Sequence, residues 1–155
     1  MDNQAELNAR DFPGLVPELL VGDLAVSLGF WVRLCGFEVF YDRQEEGFAY
    51  LHCGTAHLML DQIGIGRDWA PGALNRPLGR GVNFQIAVPA IAPLVDRLAA
   101  GDWPLFLAPE TTWYQTGDTR AGVSQFLVQD PDGYLVRFSE SLADVGDASP
   151  EGASA

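Results

Sequence analysis

Basic residues are scarce in this sequence, and lysine is absent. Arg and Lys together number 9 against 21 Asp and Glu, which gives a formal net charge of -12 at pH 7. A protein that binds nucleic acid needs a basic surface to displace the counterions of the phosphate backbone. The composition therefore argues against nucleic-acid binding, and it leaves a cationic small molecule open as a ligand.

The sequence also has few cysteines and no long apolar run. The two cysteines, Cys35 and Cys53, form no CxxC motif, and they fit buried thiols of a reducing compartment better than a disulfide framework. No apolar run approaches the length of a membrane span. Residues 1–10 are polar and acidic, whereas a secretory signal starts basic and then turns apolar. We therefore expect a cytoplasmic protein with no membrane partner.

The chain does have a substantial apolar fraction, 48%, and it is arranged as a tandem repeat. A strand at residues 15–21 leads into a helix capped by Asp23, and a strand and helix return from residue 82. Short strands follow each helix, at residues 38–41, 48–53 and 56–61, and then at about 104–108, 123–129 and 134–139. This order predicts an α+β fold of tandem βαβββ modules that form a cupped mixed sheet with helices on the outer face.

Composition marks the boundaries of the folded part. Residues 12–139 are expected to form a single domain, with modules at about 13–62 and 81–139. The linker between them, residues 63–80, is rich in Pro and Gly, and irregular stretches of this length usually have a functional or interfacial role. A flexible N-terminus at residues 1–11 and a disordered acidic tail at residues 140–155 complete the prediction.

The hairpin predicted at residues 48–61 is the most informative stretch, because a tight Gly54-Thr55 turn would define its register. Side chains alternate between the two faces of a strand. One face then collects Phe48, Tyr50, His52, His57, Met59 and Asp61. The other face collects Ala49, Leu51, Cys53, Ala56, Leu58 and Leu60. The second face is wholly apolar and is expected to pack beneath the helices, which leaves the mixed face for a ligand.

Four stretches resemble a known superfamily in their order along residues 13–139. They are VPELLVGDLAVSLGFWVRLCGFEVFYDR, the GFAYL strand, RGVNFQIAV and QFLVQDPDGYLVRF. Together they resemble the vicinal-oxygen-chelate superfamily, which includes glyoxalases and dioxygenases, and within it the bleomycin-resistance, drug-binding branch. A DPDG turn alone is compatible with any hairpin. A DPDG turn that follows a DL..S..FW helix and a GF strand is a more specific sign of this superfamily.

The resemblance also locates the positions where metal-dependent members carry their ligands, a His on the first strand, a His on the fifth and a Glu on the last. Val16, Asn83 and Arg137 stand at these positions here. Valine has no donor atom, an amide is a poor ligand, and a guanidinium brings positive charge to the place of a divalent cation. The resemblance therefore implies a protein without a metal or other cofactor.

Other reactive groups give weaker signals. His52 and His57, facing each other beside Asp61, could bind a metal at a new position, could contact a ligand, or could simply pair across an exposed hairpin end. The two cysteines are typical small core residues. No Ser/His/Asp arrangement has a local signature, and no catalytic residue is assigned.

Aromatic and acidic side chains supply the candidate binding site. Bleomycin is a cationic glycopeptide with flat heteroaromatic rings, so a groove for it should combine stacking surfaces with carboxylates. The predicted ligand-binding residues are Phe48, Tyr50, His57, Asp61, Trp113 and Asp42. Two alternatives stay open. The acidic trio Asp42, Glu45 and Glu46 would also suit a solvated loop, which is the interpretation that we favour. Trp69, Trp113 and Tyr114 are placed in or beside loops, where the two tryptophans would serve a pocket or a dimer contact.

The function expected from the resemblance is metal-free binding that sequesters a bleomycin-type antibiotic or another aromatic cation. Proteins of this branch form two-fold dimers with clefts between the subunits, so a homodimer is implied as well. The alternative is an enzyme of the same fold. It would be a glyoxalase-like lyase or dioxygenase with an atypical metal site, or a metal-free isomerase with Asp61 or a histidine as base.

Overall fold

The computed structural model describes residues 12–143, and these form two successive modules of the same topology. The first module contains β1 (Glu18–Val21), α1 (Leu24–Leu28) continued by a π-helical segment (Gly29–Leu34), β2 (Glu38–Arg43), a 3₁₀ turn (Gln44–Glu46), β3 (Phe48–Cys53) and β4 (Ala56–Gln62). The second contains β5 (Asn83–Ala87), α2 (Ala92–Ala100), β6 (Leu107–Thr116), β7 (Thr119–Gln129) and β8 (Leu135–Leu142).

Each module folds into one four-stranded mixed sheet. The strand orders are β1-β4-β3-β2 and β5-β8-β7-β6, and in both sheets the first strand pairs in parallel with the last while the other neighbours are antiparallel. The predicted α+β fold of tandem βαβββ modules is confirmed. Within residues 12–143, neither helix has the length and apolar character that crossing a bilayer requires.

The first helix begins where the sequence predicts it. Asp23 caps α1, and its Oδ1 accepts a hydrogen bond of 3.1 Å from the backbone N–H of Val26. The helical segment then carries Phe30 and Trp31 into the interior, where they are 2% and 0% exposed. These large rings anchor the helix on the apolar face of the first sheet.

The β3–β4 hairpin has the predicted register. Cys53 pairs with Ala56 and His52 with His57 across a turn in which Gly54 has a φ of +59°, a left-handed conformation that favours glycine. Leu51, Leu58 and Leu60 are therefore on the helix-facing side, at no more than 5% exposure. The aromatic and polar side chains are on the other side, as the alternation requires.

The two modules share one apolar core. Buried side chains of the first sheet and its helix belong to the same cluster as Ile86, Phe126 and Phe138 of the second. Polar contacts join the modules as well, because the Tyr134 hydroxyl donates to the Leu20 carbonyl and buried Asp132 accepts from the Gly22 N–H, both at 2.9 Å. Both cysteines are free thiols, and Cys35 is buried.

The second hairpin differs from its prediction. A strand was expected at about 104–108 with Trp113 and Tyr114 in or beside loops, but β6 runs over Leu107–Thr116 and β7 begins at Thr119. All ten residues of β6 are exposed, so no alternation of buried and exposed positions marks the strand. Trp113 instead covers Gly122 on β7, where a Cβ would lie 2.6 Å from the indole ring.

The C-terminal end of the folded part lies slightly beyond its predicted limit. Strand β8 continues to Leu142, past the predicted boundary at residue 139, because Ser141 and Leu142 pair with Val123 and Gly122. The remainder of the predicted tail, from residue 144, and the predicted N-terminal segment 1–11 lie outside the described residues.

Candidate functional site

A cavity of about 520 Å³ opens on the face of the first sheet that points away from the core. Phe48 of β3 and Asp61 of β4, which pair directly across the hairpin, lie in its wall. Glu18 joins them because β1 runs parallel to β4 and Glu18 pairs with Met59, on the same face as Asp61. Arg67 and Trp69 of the linker close another side. Strand pairing and the linker together build this site.

Two carboxyl groups meet in the cavity. Partial burial raises the pKa of Glu18, and the negative charge of Asp61 and a hydrogen bond between the two carboxyl groups raise it further, while Arg67 acts in the opposite direction. Glu18 therefore takes up a proton at a higher pH than an isolated glutamate. The pair is a place where a ligand cation would be favoured, since it would relieve the repulsion.

The aromatic rings of the cavity already attract cations. The Arg43 guanidinium lies over the Phe48 ring, 4.3 Å from its centroid, and that of Arg67 lies 4.4 Å from the centroid of Trp69. Arg43 is also paired with Glu46 at 2.7 Å, but both side chains are about half exposed, 47% and 64%. A flat cation could therefore replace Arg43 on the Phe48 face with little disturbance of the core.

Tyr50 lies beneath a cluster of rings and not in the cavity wall. A β-bulge between Val39 and Tyr41 lets consecutive Phe40 and Tyr41 both contact the Tyr50 ring, with centroids 5.6 and 5.3 Å away. Tyr50 is 3% exposed, and its hydroxyl is hydrogen-bonded to Nδ1 of His57 at 2.9 Å. The cluster therefore packs Tyr50 among aromatic rings and fixes its hydroxyl on His57.

The remaining predicted site residues lie elsewhere. His57 lines a second cavity of about 310 Å³, whose walls include Phe84 and Gln85 of the second module. Asp42 pairs with Ala49, so it is on the opposite face of the sheet from Phe48, and Gln44 donates a 2.9 Å hydrogen bond to it. Trp113 is on the β6–β7 hairpin, and the guanidinium carbon of Arg120 lies 5.3 Å from the centroid of its ring. Of the six predicted residues, the structure brings only Phe48 and Asp61 together in the 520 Å³ cavity.

Burial lowers the pKa of His57, and His52 lowers it further, which favours a neutral imidazole.

Across residues 12–143, no three His, Cys, Asp or Glu side chains are grouped closely enough to hold a metal ion. The set His52, His57 and Asp61 is therefore not a metal site. The Nε2 atom of His52 instead lies 3.6 Å from the Oε2 atom of Glu38.

The ligand positions of metal-dependent relatives do not fit a divalent cation here. Asn83 and Arg137 are on neighbouring strands β5 and β8, and Val16 lies just before β1. The buried Nε atom of Arg137 has no hydrogen-bond partner, so this position presents a donor and a positive charge where a metal requires an acceptor.

Sequence reasoning missed Glu18. The charged residue precedes a buried run, Leu19 to Val21, and nothing local indicates that it meets Asp61. A parallel β1–β4 pairing, which the repeated βαβββ order implies, was the signal that could have found it.

Known proteins resemble this chain over most of its length. The family model described as Glyoxalase/Bleomycin resistance protein/Dioxygenase superfamily matches residues 15–138. The chain is similar to bleomycin resistance proteins of Geobacillus stearothermophilus and Staphylococcus aureus, each 29% identical over 136 residues that cover 82% of this chain and 96% of the relative. Its fold is similar to that of TioX from Micromonospora sp. ML1, with a TM-score of 0.63 at 20% identity over 84% of this chain and 99% of TioX. With its two βαβββ modules, the chain belongs to the glyoxalase/bleomycin resistance protein/dioxygenase superfamily.

Proposed function

We propose that this chain is a cytoplasmic, metal-free binding protein that sequesters an aromatic cation, such as a bleomycin-type antibiotic or a related metabolite. One observation carries the proposal. The same 520 Å³ cavity combines the rings of Phe48 and Trp69 with the carboxyl groups of Glu18 and Asp61. Stacking surface and negative charge are the two features that a flat cation needs. The similarity to bleomycin resistance proteins supports the same class of ligand.

Calorimetry with bleomycin and with proflavine, a small flat cation, tests this function. We expect saturable binding of the cations and much weaker binding of neutral acridone, which has a similar shape without the charge. Elemental analysis of the same preparation addresses the enzymatic alternative. Stoichiometric zinc, nickel, iron or manganese, or equal affinity for acridone and proflavine, would count against a metal-free cation site.

The carboxyl pair predicts a pH dependence of binding. Because the pKa of Glu18 is raised, its charge is lost at a higher pH than that of an ordinary glutamate as the solution is acidified. The affinity for proflavine should therefore fall as the solution is acidified from neutral pH, beginning at a higher pH than an ordinary glutamate would allow, and this fall should be shallower in Glu18→Gln. Glu45→Gln, which removes a charge elsewhere on the cavity wall, is the matched control. Identical pH profiles for the wild type and Glu18→Gln would refute the role of the pair.

A homodimer is the proposed assembly. The long β6–β7 hairpin and the residue before it expose large apolar side chains that a second copy could cover, with Tyr114 at 55% and Phe106 at 62% exposure. Sedimentation velocity at micromolar concentration should give twice the chain mass of 16.8 kDa. Tyr114→Glu should shift the equilibrium toward the monomer, whereas Val26→Glu, at an exposed helical position, should not. A wild-type protein that stays monomeric under these conditions contradicts the proposal.

A further inference from the structure

Arg137 occupies an unusual position in the middle of β8. Its neighbours along the strand, Val136 and Phe138, are 0% exposed in the core, so Arg137 projects from the opposite face of the second sheet. Gln85 of β5 and Leu127 of β7 flank it directly in the sheet register. The side chain is half-buried on a face that no helix of its own module covers.

The guanidinium of Arg137 has no partner within residues 12–143. It makes neither a hydrogen bond nor an ion pair there, and its Nε atom is buried without an acceptor. Other arginines find carboxylates readily in this acidic chain, since Arg43 pairs with Glu46 and Arg76 with Asp132, each at 2.7 Å. A buried, unsatisfied donor on a charged group is unfavourable, so an acceptor from outside the described residues would be stabilising here.

The side chains around Arg137 are mainly neutral hydrogen-bonding groups. Gln85 donates a 3.4 Å hydrogen bond to the Ser139 hydroxyl, and both share the face of Arg137. Glu110, which pairs with Gln125 across the β6–β7 hairpin, accepts a 2.9 Å hydrogen bond from the Gln125 amide. The surface therefore offers one uncompensated positive charge beside amide and hydroxyl groups, which suits an oxyanion.

We infer that Arg137 anchors an oxyanion subsite that takes the carboxylate or phosphate group of a small molecule. A guanidinium binds such groups through two parallel hydrogen bonds, which a lysine cannot reproduce. Because Nε is buried, its acceptor has to enter between neighbouring side chains, which a small oxyanion can do more readily than a protein surface. The subsite lies on the second sheet and does not depend on the cation cavity, so either proposal can fail alone.

Nuclear magnetic resonance of the arginine Nε–H groups tests the subsite directly. The full chain, labelled with ¹⁵N, is titrated with benzoate and with phenyl phosphate at constant ionic strength, and the Arg137 signal is assigned by its absence in Arg137→Lys. We expect a saturable shift of that signal. The two Arg137 variants lack this signal, so isothermal titration calorimetry with the same anions compares their affinities with that of the wild type. Binding should be at least about tenfold weaker in Arg137→Gln and intermediate in Arg137→Lys, which keeps the charge and guards against misfolding of the neutral variant.

Arg33→Gln is the matched control, because Arg33 is exposed on the first helical segment, and it should bind as the wild type does. Two kinds of result would overturn the inference. One is anion binding that does not involve Arg137, seen either as an absent or non-saturable shift or as equal affinity in Arg137→Gln and the wild type. The other is an Arg137 signal that responds to dilution of the protein and not to the anions, which would assign the acceptor to a carboxylate of a second copy.

Discussion

Leu58→Ala is expected to lower the free energy of unfolding by about 2 to 5 kcal/mol, because it removes a leucine side chain from a packed interior. Leu58 is 5% exposed and pairs across the hairpin with Leu51, which is fully buried. Leu58 belongs to the same apolar cluster as Phe30 and Trp31 of the first helical segment, so the substitution removes packing contacts within the core. Urea unfolding followed by circular dichroism measures the effect.

Met59→Ala is the matched control for this prediction. Met59 is the next residue along β4, yet it is only partly buried because its side chain is on the opposite face of the sheet. The loss of stability should be clearly smaller than in Leu58→Ala. If Met59→Ala were the more destabilising of the two, the assignment of the core face would be wrong.

Phe48→Ala is expected to weaken the binding of proflavine or bleomycin by about 1 to 3 kcal/mol, the range typical of a buried aromatic anchor. Phe48 is 8% exposed, its ring is in the wall of the cavity, and it already holds the guanidinium of Arg43. Removing the ring removes the stacking surface for the ligand. Isothermal titration calorimetry gives the change in affinity.

Phe48→Leu separates stacking from packing, because leucine keeps most of the apolar volume and has no aromatic face. It should bind almost as weakly as Phe48→Ala while remaining closer to the wild type in melting temperature. Calorimetry in which Leu58→Ala abolishes binding at an unchanged melting temperature, while Phe48→Ala only unfolds the protein, would show that the two faces of the sheet are exchanged.

The local part of the fold could be predicted from the sequence because it depends on short-range patterns. The Gly54-Thr55 turn and the alternation on either side of it are enough to place Phe48 and Asp61 opposite each other, as the structure has them. Asp23 likewise marks the start of the helix through a hydrogen bond to a residue only three positions away. These features need no knowledge of the rest of the chain.

Periodicity and turn chemistry are local properties, so they were enough to predict the repeated βαβββ order, the hairpin register and the superfamily resemblance. Which of the candidate residues share a site depends instead on the tertiary structure. It brought Glu18 to Asp61 by parallel pairing of distant strands, and it carried Trp69 of the linker to the cavity while leaving Trp113 on an exposed hairpin. Among residues 12–143, it also left the buried Nε atom of Arg137 without a hydrogen-bond partner. Contacts between residues far apart in sequence depend on how the sheets, the helices and the linker pack together. A local sequence pattern does not specify that packing.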